Sequence, residues 1–354
     1  MPVARRRITQ KEVAEKAGVA QATVSLILNG GREKVAPETA DRVEAAIKEL
    51  GYQPNRFAQA LRTQRSYVIA CVVPDLTNPF YPSLVVHVQK VARAAGYEVM
   101  TIDTEGKAEA ERHVVDSALR GRFDGIVGIF FNIGARELSP LGKAGVPVVR
   151  IEVSRKVGGA LPIDDLFIDN EAAARKLTQH LLDLGHRRIA MIAAPGGPQR
   201  VRLRGYLAAM EATGADPVVL EASQFTLEAG RDVTDRLIEG GNPVTAIMAA
   251  NDLMAIGVMQ SLSSHGLSIP DDISVAGFDD IMASALVTPA LTTVAQFQDR
   301  LGARAAELLL ARLANGGSDP GQAEEMTFEL VVRASVGRPK AMPVTKSSSR
   351  EETQ

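Results

Sequence analysis

Apolar residues recur along this chain in two rhythms, and the change near residue 67 predicts where it divides. Up to that point the spacing is helical. Thr9 followed three residues later by Glu12 is a helix-start signature, and Val13, Ala14 and Ala17 then supply an apolar face that stops at Gly18. After the link Gly18-Val19-Ala20, residues 21–28 place Val24, Ile27 and Leu28 on one face and Gln21, Ala22, Ser25 and Leu26 on the other. The first face packs, and the second is left to touch something else. Asn29-Gly30-Gly31 breaks the pattern. A third helix is expected from Pro37, with Val43, Ala46, Ile47 and Leu50 inward and Gly51 as its stop. Three short helices with a tight first turn make a helix-turn-helix unit.

Beyond residue 67 the texture becomes apolar and β-branched. Runs at 68–73, 99–102, 125–130 and 148–151 read as buried strands, with helices near 82–95, 109–120 and 137–144 between them. The pattern resumes with a helix near 171–184 and strands at 189–193, 218–220, 246–249 and 273–277, separated by helices near 202–212, 227–239 and 252–265. This is α/β texture in two successive halves, each an open, mainly parallel, doubly wound sheet. Ligands of such sheets sit outside the carboxyl ends of the strands, so the cleft between the halves is the expected site. Residues 55–61, too short for a stable isolated helix, form a folding hinge, and the tail 339–354 has no apolar repeat and is expected to be disordered.

Composition narrows the class. At 354 residues with 45% hydrophobic and 23% charged side chains, the chain has material for two or three units with real cores. Its single cysteine, Cys71, lies in an apolar run and can form neither an internal disulfide nor a cysteine-based metal site. The basic N-terminus is followed by no apolar h-region, and no stretch approaches the ~18–20 apolar residues of a membrane span, so a cytoplasmic location without a membrane partner is expected. The net charge is −2, but residues 1–65 carry 12 Lys/Arg against 7 Asp/Glu, so the rest of the chain holds a net −7. A basic head on an acidic body suits a head that meets a polyanion.

Taken in order, ITQKEVAEKAGVAQATVSLILNG, GYQPNRFAQAL, LGHRRIAMI, AANDLMAIG, ISVAGFDD and LTTV resemble the lactose-repressor/galactose-repressor (LacI/GalR) family of bacterial regulators over residues 8 to about 338. The resemblance implies a periplasmic-binding-protein-like body and this division: a head at 1–54, a hinge at 55–66, a first half at 67–164 and 296–325, and a second at 165–295 and 326–338. It implies a homodimer that binds double-stranded DNA at a near-palindromic operator under the control of a small-molecule effector, most often a sugar or sugar derivative. Helix 21–28 would enter the major groove, with Gln21 and Ala22 at base edges; Gln suits adenine, a merely solvated side chain being the alternative, and Ala suits only a thymine methyl. Thr9, Thr23, Ser25 and Asn29 would bond phosphates, ordinary capping or turn chemistry being the alternative for each. In the linker, Asn55, Ala58 and Leu61 would face DNA, with Leu61 as a wedge in the minor groove or as ordinary packing. Two residues depart from the pattern: Ala20 stands where Ser is usual and removes a side-chain cap, and Leu26 stands where a polar residue is usual.

For the effector, strand ends and the family's matching positions give Asn78, Phe80, Glu152, Arg202, Asn251, Asp279 and Gln296. Planar polar groups and an aromatic ring suit sugar hydroxyls and an apolar sugar face. Helix capping remains open for Asp279, a structural salt bridge for Arg202 and a core position for Phe80. Arg150 suits an acidic or phosphorylated sugar, or pairs with a nearby carboxylate. A nucleobase effector is the alternative within the family, and a transport sugar-binding protein the alternative outside it. Catalysis is not expected: no phosphate-binding loop, nucleophile elbow or metal-spaced histidines occur, and no cofactor or metal is implied. His186 is read as structural.

Overall fold

The computed structural model describes residues 8–28, 30–53, 65–154, 156, 158–241, 244–316 and 319–340. The chain divides between Ser66 and Tyr67 into a head and a body.

In the head, α1 (Gln10–Ala17) begins with the full capping box: Thr9 Oγ1 accepts the Glu12 N–H at 3.3 Å, and the Glu12 carboxylate accepts the Thr9 N–H at 2.7 Å. Gly18 ends it at φ 66°. Helix α2 (Gln21–Leu28) starts without a hydroxyl at position 20, where only the Ala20 carbonyl serves, accepting the Thr23 N–H at 2.9 Å. A 3-10 turn at Arg32–Lys34 leads to α3 (Pro37–Leu50), which stops at Gly51 with φ 60°. Val13, Val24, Ala40 and Val43 close the small core against Tyr52.

The first half of the body runs β1 (Val68–Val73), α4 (Phe80–Ala94), β2 (Glu98–Asp103), α5 (Ala108–Leu119), β3 (Gly125–Gly128), α6 (Ala135–Lys143), β4 (Val148–Glu152) and β5 (Ile163–Ile168). The second runs α7 (Asn170–Asp183), β6 (Ile189–Ala193), α8 (Gln199–Ala212), β7 (Val218–Glu221), α9 (Leu227–Glu239), β8 (Ala246–Ala249), α10 (Asp252–Ser264), β9 (Ser274–Ala276), α11 (Met282–Leu286) and β10 (Thr293–Ala295). The chain then returns to the first half through α12 (Gln298–Asn315) and β11 (Ala323–Met326), and β12 (Glu329–Val331) pairs antiparallel with β10. Two parallel sheets result, in the orders β11-β5-β4-β3-β1-β2 and β7-β6-β8-β9. Apolar clusters cover both faces of each, which is why the inner strands β1, β3, β6 and β8 read as apolar runs.

Strand β5 departs from that pattern while staying buried. Its sequence, Ile-Asp-Asp-Leu-Phe-Ile, is buried at all six positions although two are acidic. Successive side chains point to opposite faces, so each aspartate finds its own arginine: Asp165 pairs with its cross-strand partner Arg150 at 2.6 Å, and Asp164 with Arg312 of α12 at 2.5 Å. The expected boundary at 164/165 therefore falls inside a strand, and the one at 325/326 clips Met326 from β11. The first residues of the tail expected to begin at 339 touch the body: a Cβ on Gly185 would stand 3.8 Å from Pro339 Cδ, and the exposed Lys340 Nζ bonds Asp272 at 2.7 Å. Helix α12 escapes the pattern reading altogether. It lies so close to α4 that a Cβ on Gly302 would stand 2.3 Å from the Leu84 carbonyl oxygen.

Candidate functional site

On α2, Val24 and Ile27 are buried while Gln21 and Ala22 are exposed, and Thr23 and Ser25 are half-buried. Leu26 is 37% exposed and does not project freely: a Cβ on Gly31 would meet its Cδ1 at 2.6 Å. The side chain folds over the Gly31 backbone, whose N–H bonds the Leu26 carbonyl at 3.0 Å. Thr9 is exposed and caps α1. Asn29, Asn55, Ala58 and Leu61 lie outside the described residues.

In the body, a cavity of about 580 Å³ opens beyond the carboxyl ends of the strands of both halves, and all seven effector candidates line it. Asn78 and Phe80 follow β1, Glu152 ends β4, Arg202 lies on α8, and Asn251, Asp279 and Gln296 follow β8, β9 and β10. The volume suits a small organic molecule.

Protein bonds orient these polar groups. Arg202 donates from Nε to Asn170 Oδ1 at 2.8 Å, from Nη1 to the Ala250 carbonyl, and from Nη2 to Asp279 Oδ1 at 3.3 Å, and its guanidinium lies 3.6 Å from the centre of the Phe278 ring. Gln296 Nε2 donates to the same Asp279 oxygen at 2.6 Å. Among the described residues, Asp279 Oδ2 takes no protein hydrogen bond. Asn251 caps α10 by accepting the Met254 N–H at 2.9 Å and donates to the Phe225 carbonyl at 3.1 Å. Asn78 Oδ1 accepts the Phe80 N–H at 3.0 Å, and Phe80 serves both the core and the cavity wall. Asp279 is thus no helix cap, and Arg202 is at once salt-bridged and cavity-lining.

Burial pushes the Asp279 carboxyl up to about 7, against the pull of Arg202 and with a smaller push from Asp252. Burial likewise lowers the Arg202 guanidinium, opposed by Asp279. The Asp279 backbone is held at φ 120° and that of Asp280 at 53°, conformations rare for L residues that recur at sites built to present particular groups. The fully buried Asp252 anchors this turn, accepting from Ser284 Oγ and Thr293 Oγ1, each at 2.6 Å, and from the Ile281 N–H at 2.9 Å.

Arg150 is not part of the cavity wall; it pairs with Asp165 and with Glu152 at 2.9 Å. His186 bridges Thr245 Oγ1 at 2.8 Å and the Gly337 carbonyl at 2.9 Å, a structural position that ties the C-terminal segment to the second half. Sequence reading missed Asn170, Tyr81, Phe131 and Phe225 in the wall. Asn170 follows β5, so detecting that strand despite its aspartates would have found it. Among the described residues no cluster of histidine, cysteine or carboxylates suits a metal ion, and no helix is long and apolar enough to cross a membrane.

Residues 9–55 match the lacI family of bacterial regulatory proteins, and residues 178–336 match the periplasmic binding protein-like domain. The ribose operon repressor of Escherichia coli (strain K12) is 36% identical over 86% of this chain and 93% of its own length. The lac repressor dimer bound to operator and an anti-inducer superposes with a TM-score of 0.83 at 29% identity, covering 94% of this chain and all of that one. A LacI family regulator from Enterococcus faecium with bound ribose superposes at 0.68 with 25% identity, over 77% and 99%. With a head and a body each matched and a repressor aligned over nearly its whole length, this chain belongs to the lacI family of bacterial regulatory proteins, DNA-binding transcriptional regulators under effector control.

Proposed function

We propose that the chain represses transcription as a cytoplasmic homodimer on a near-palindromic operator, by binding and without catalysis, and that a neutral sugar in the body cavity sets its hold on DNA. The observation that carries this reading is the convergence of seven residues from both halves on one cavity, with their polar groups already oriented. Asp279 Oδ2 is an acceptor for a hydroxyl, Asn251, Gln296 and Arg202 surround it, and Phe80 offers a ring to an apolar sugar face. The ribose-bound regulator of similar structure supports a sugar here, and the operator-bound lac repressor dimer supports a two-fold arrangement on DNA. A ligand touching both halves favours their closed arrangement, so effector and operator affinities are coupled reciprocally.

The test selects sites from random duplex DNA with purified protein, then titrates the selected operator by fluorescence anisotropy with ribose and a panel of neutral sugars present. An inverted repeat is expected, together with a sugar that shifts operator affinity by about tenfold. Arg202→Lys, which keeps a cation beside Asp279 but not the guanidinium fork, should weaken the shift, with sugar-free operator binding as the control that the fold is retained. Failure to enrich any site at low salt, with and without the sugars, overturns the reading.

A further inference from the structure

Phe131 follows β3 in the first half of the body, yet its ring lies against the second. It sits between two glycines. A Cβ on Gly197, in the loop between β6 and α8, would stand 2.8 Å from the ring Cζ, 3.0 Å from Cε2 and 3.2 Å from Cε1, and a Cβ on Gly106 would stand 3.8 Å from Cδ2. Both glycines hold positive φ, 51° and 62°. Only a residue without a side chain leaves room for the ring at Gly197.

The ring is also held firmly from behind. Glu111 is fully buried, and its carboxylate accepts the backbone N–H groups of Phe131 at 2.8 Å, Asn132 at 3.0 Å and Ile133 at 2.9 Å, with Asn132 Nδ2 at 3.1 Å. Such charge-assisted bonds fix the loop that presents the ring. On the far side, the loop that Phe131 touches opens α8: the Pro198 carbonyl accepts the Arg202 N–H at 3.1 Å, so Gly197 stands one turn from the guanidinium that meets Asp279.

We propose that Phe131 is a latch across the cleft, a positioning residue whose ring, seated on Gly197, holds the α8 loop and Arg202 in the closed arrangement and must leave Gly197 for an effector to pass. The proposal rests on reading the cavity as the effector site. In the free protein the latch favours the closed cleft, and a ligand that bridges the halves adds to what the ring already holds.

The test needs neither effector nor DNA, so its failure is distinct from failure of the operator and sugar reading. Val153 lines the cavity, and the native Cys71 is fully buried with its thiol pushed up to about 12 by burial. In the full chain carrying Val153→Cys, reaction with a bulky maleimide reports cleft opening, while Cys71 reports loosening of the core. Phe131→Ala and Gly197→Ala are each expected to speed the reaction at position 153 by about fivefold or more with the Cys71 rate unchanged. Phe131→Leu should restore most of the protection, and the double alanine variant should react no faster than the faster single one. An unchanged rate at position 153, a parallel rise at Cys71, or a parent rate already equal to that of unfolded protein overturns the proposal.

Discussion

Arg312 and Asp164, 148 residues apart, form a buried two-pronged ion pair, Nε to Oδ2 at 2.5 Å and Nη2 to Oδ1 at 2.6 Å. Two further donors are used as well: Nη1 reaches the Asp319 carbonyl at 2.9 Å and Nη2 the Pro320 carbonyl at 3.1 Å, while the Gln322 N–H donates to Asp164 Oδ1 at 2.8 Å. The pair seats the returning segment, so that β11 can add beside β5 and complete the six-stranded sheet.

Removing one partner leaves a buried charge uncompensated. Asp164→Ala is expected to lower stability by about 3–5 kcal/mol, whereas the double replacement Asp164→Leu with Arg312→Met costs much less. Urea unfolding of the three proteins, parent, single and double variant, checks this, and equal losses in the single and double variants would refute it.

Asp279 gives a pH dependence of definite sign. Its folded value, raised to about 7 from 3.8, means that the folded state takes up the proton first. That stability is complete below the unfolded value and is lost as pH rises through about 7. Asp279→Asn should remove this loss, measured as the difference between urea midpoints of parent and variant from about pH 5 to 8. A difference that does not vary with pH would show Asp279 ionised throughout.

His186 acts in the opposite direction. Burial lowers its imidazole from 6.5, so the unfolded chain protonates first as pH falls. The contribution is whole above about 6.5 and declines below it. In His186→Gln, the parent-minus-variant stability should shrink on acidification from about pH 7 to 5.5; a constant difference would contradict it.

At the operator, Gln21→Ala should cost about 1–3 kcal/mol at a single position of each half-site and relax the preference there. The salt dependence of binding should be unaltered, because no phosphate contact is removed. A uniform loss across all sequences would assign Gln21 to the backbone instead.

Much of the site was readable because strand ends are readable. The seven side chains given by strand ends and by the family's matching positions all line one wall, and most of them follow parallel strands, which deliver their carboxyl ends to one edge. Asn170 was lost because Asp164 and Asp165 broke the apolar run of β5, and whether buried acids are tolerated depends on arginines that only the fold brings near.

Local sequence determined the head, the capping box at Thr9 and Glu12, the glycine stops at 18 and 51, and the two-half α/β body, because these follow from spacing and from neighbours within a few residues. Tertiary structure alone decided that Arg150 answers Asp165 rather than the cavity, that Leu26 folds over Gly31, and that Phe131 meets Gly197 across the cleft. Each of those turns on which distant or turning segment stands within a few ångströms, and contact of that kind is set by packing and leaves no period in the sequence.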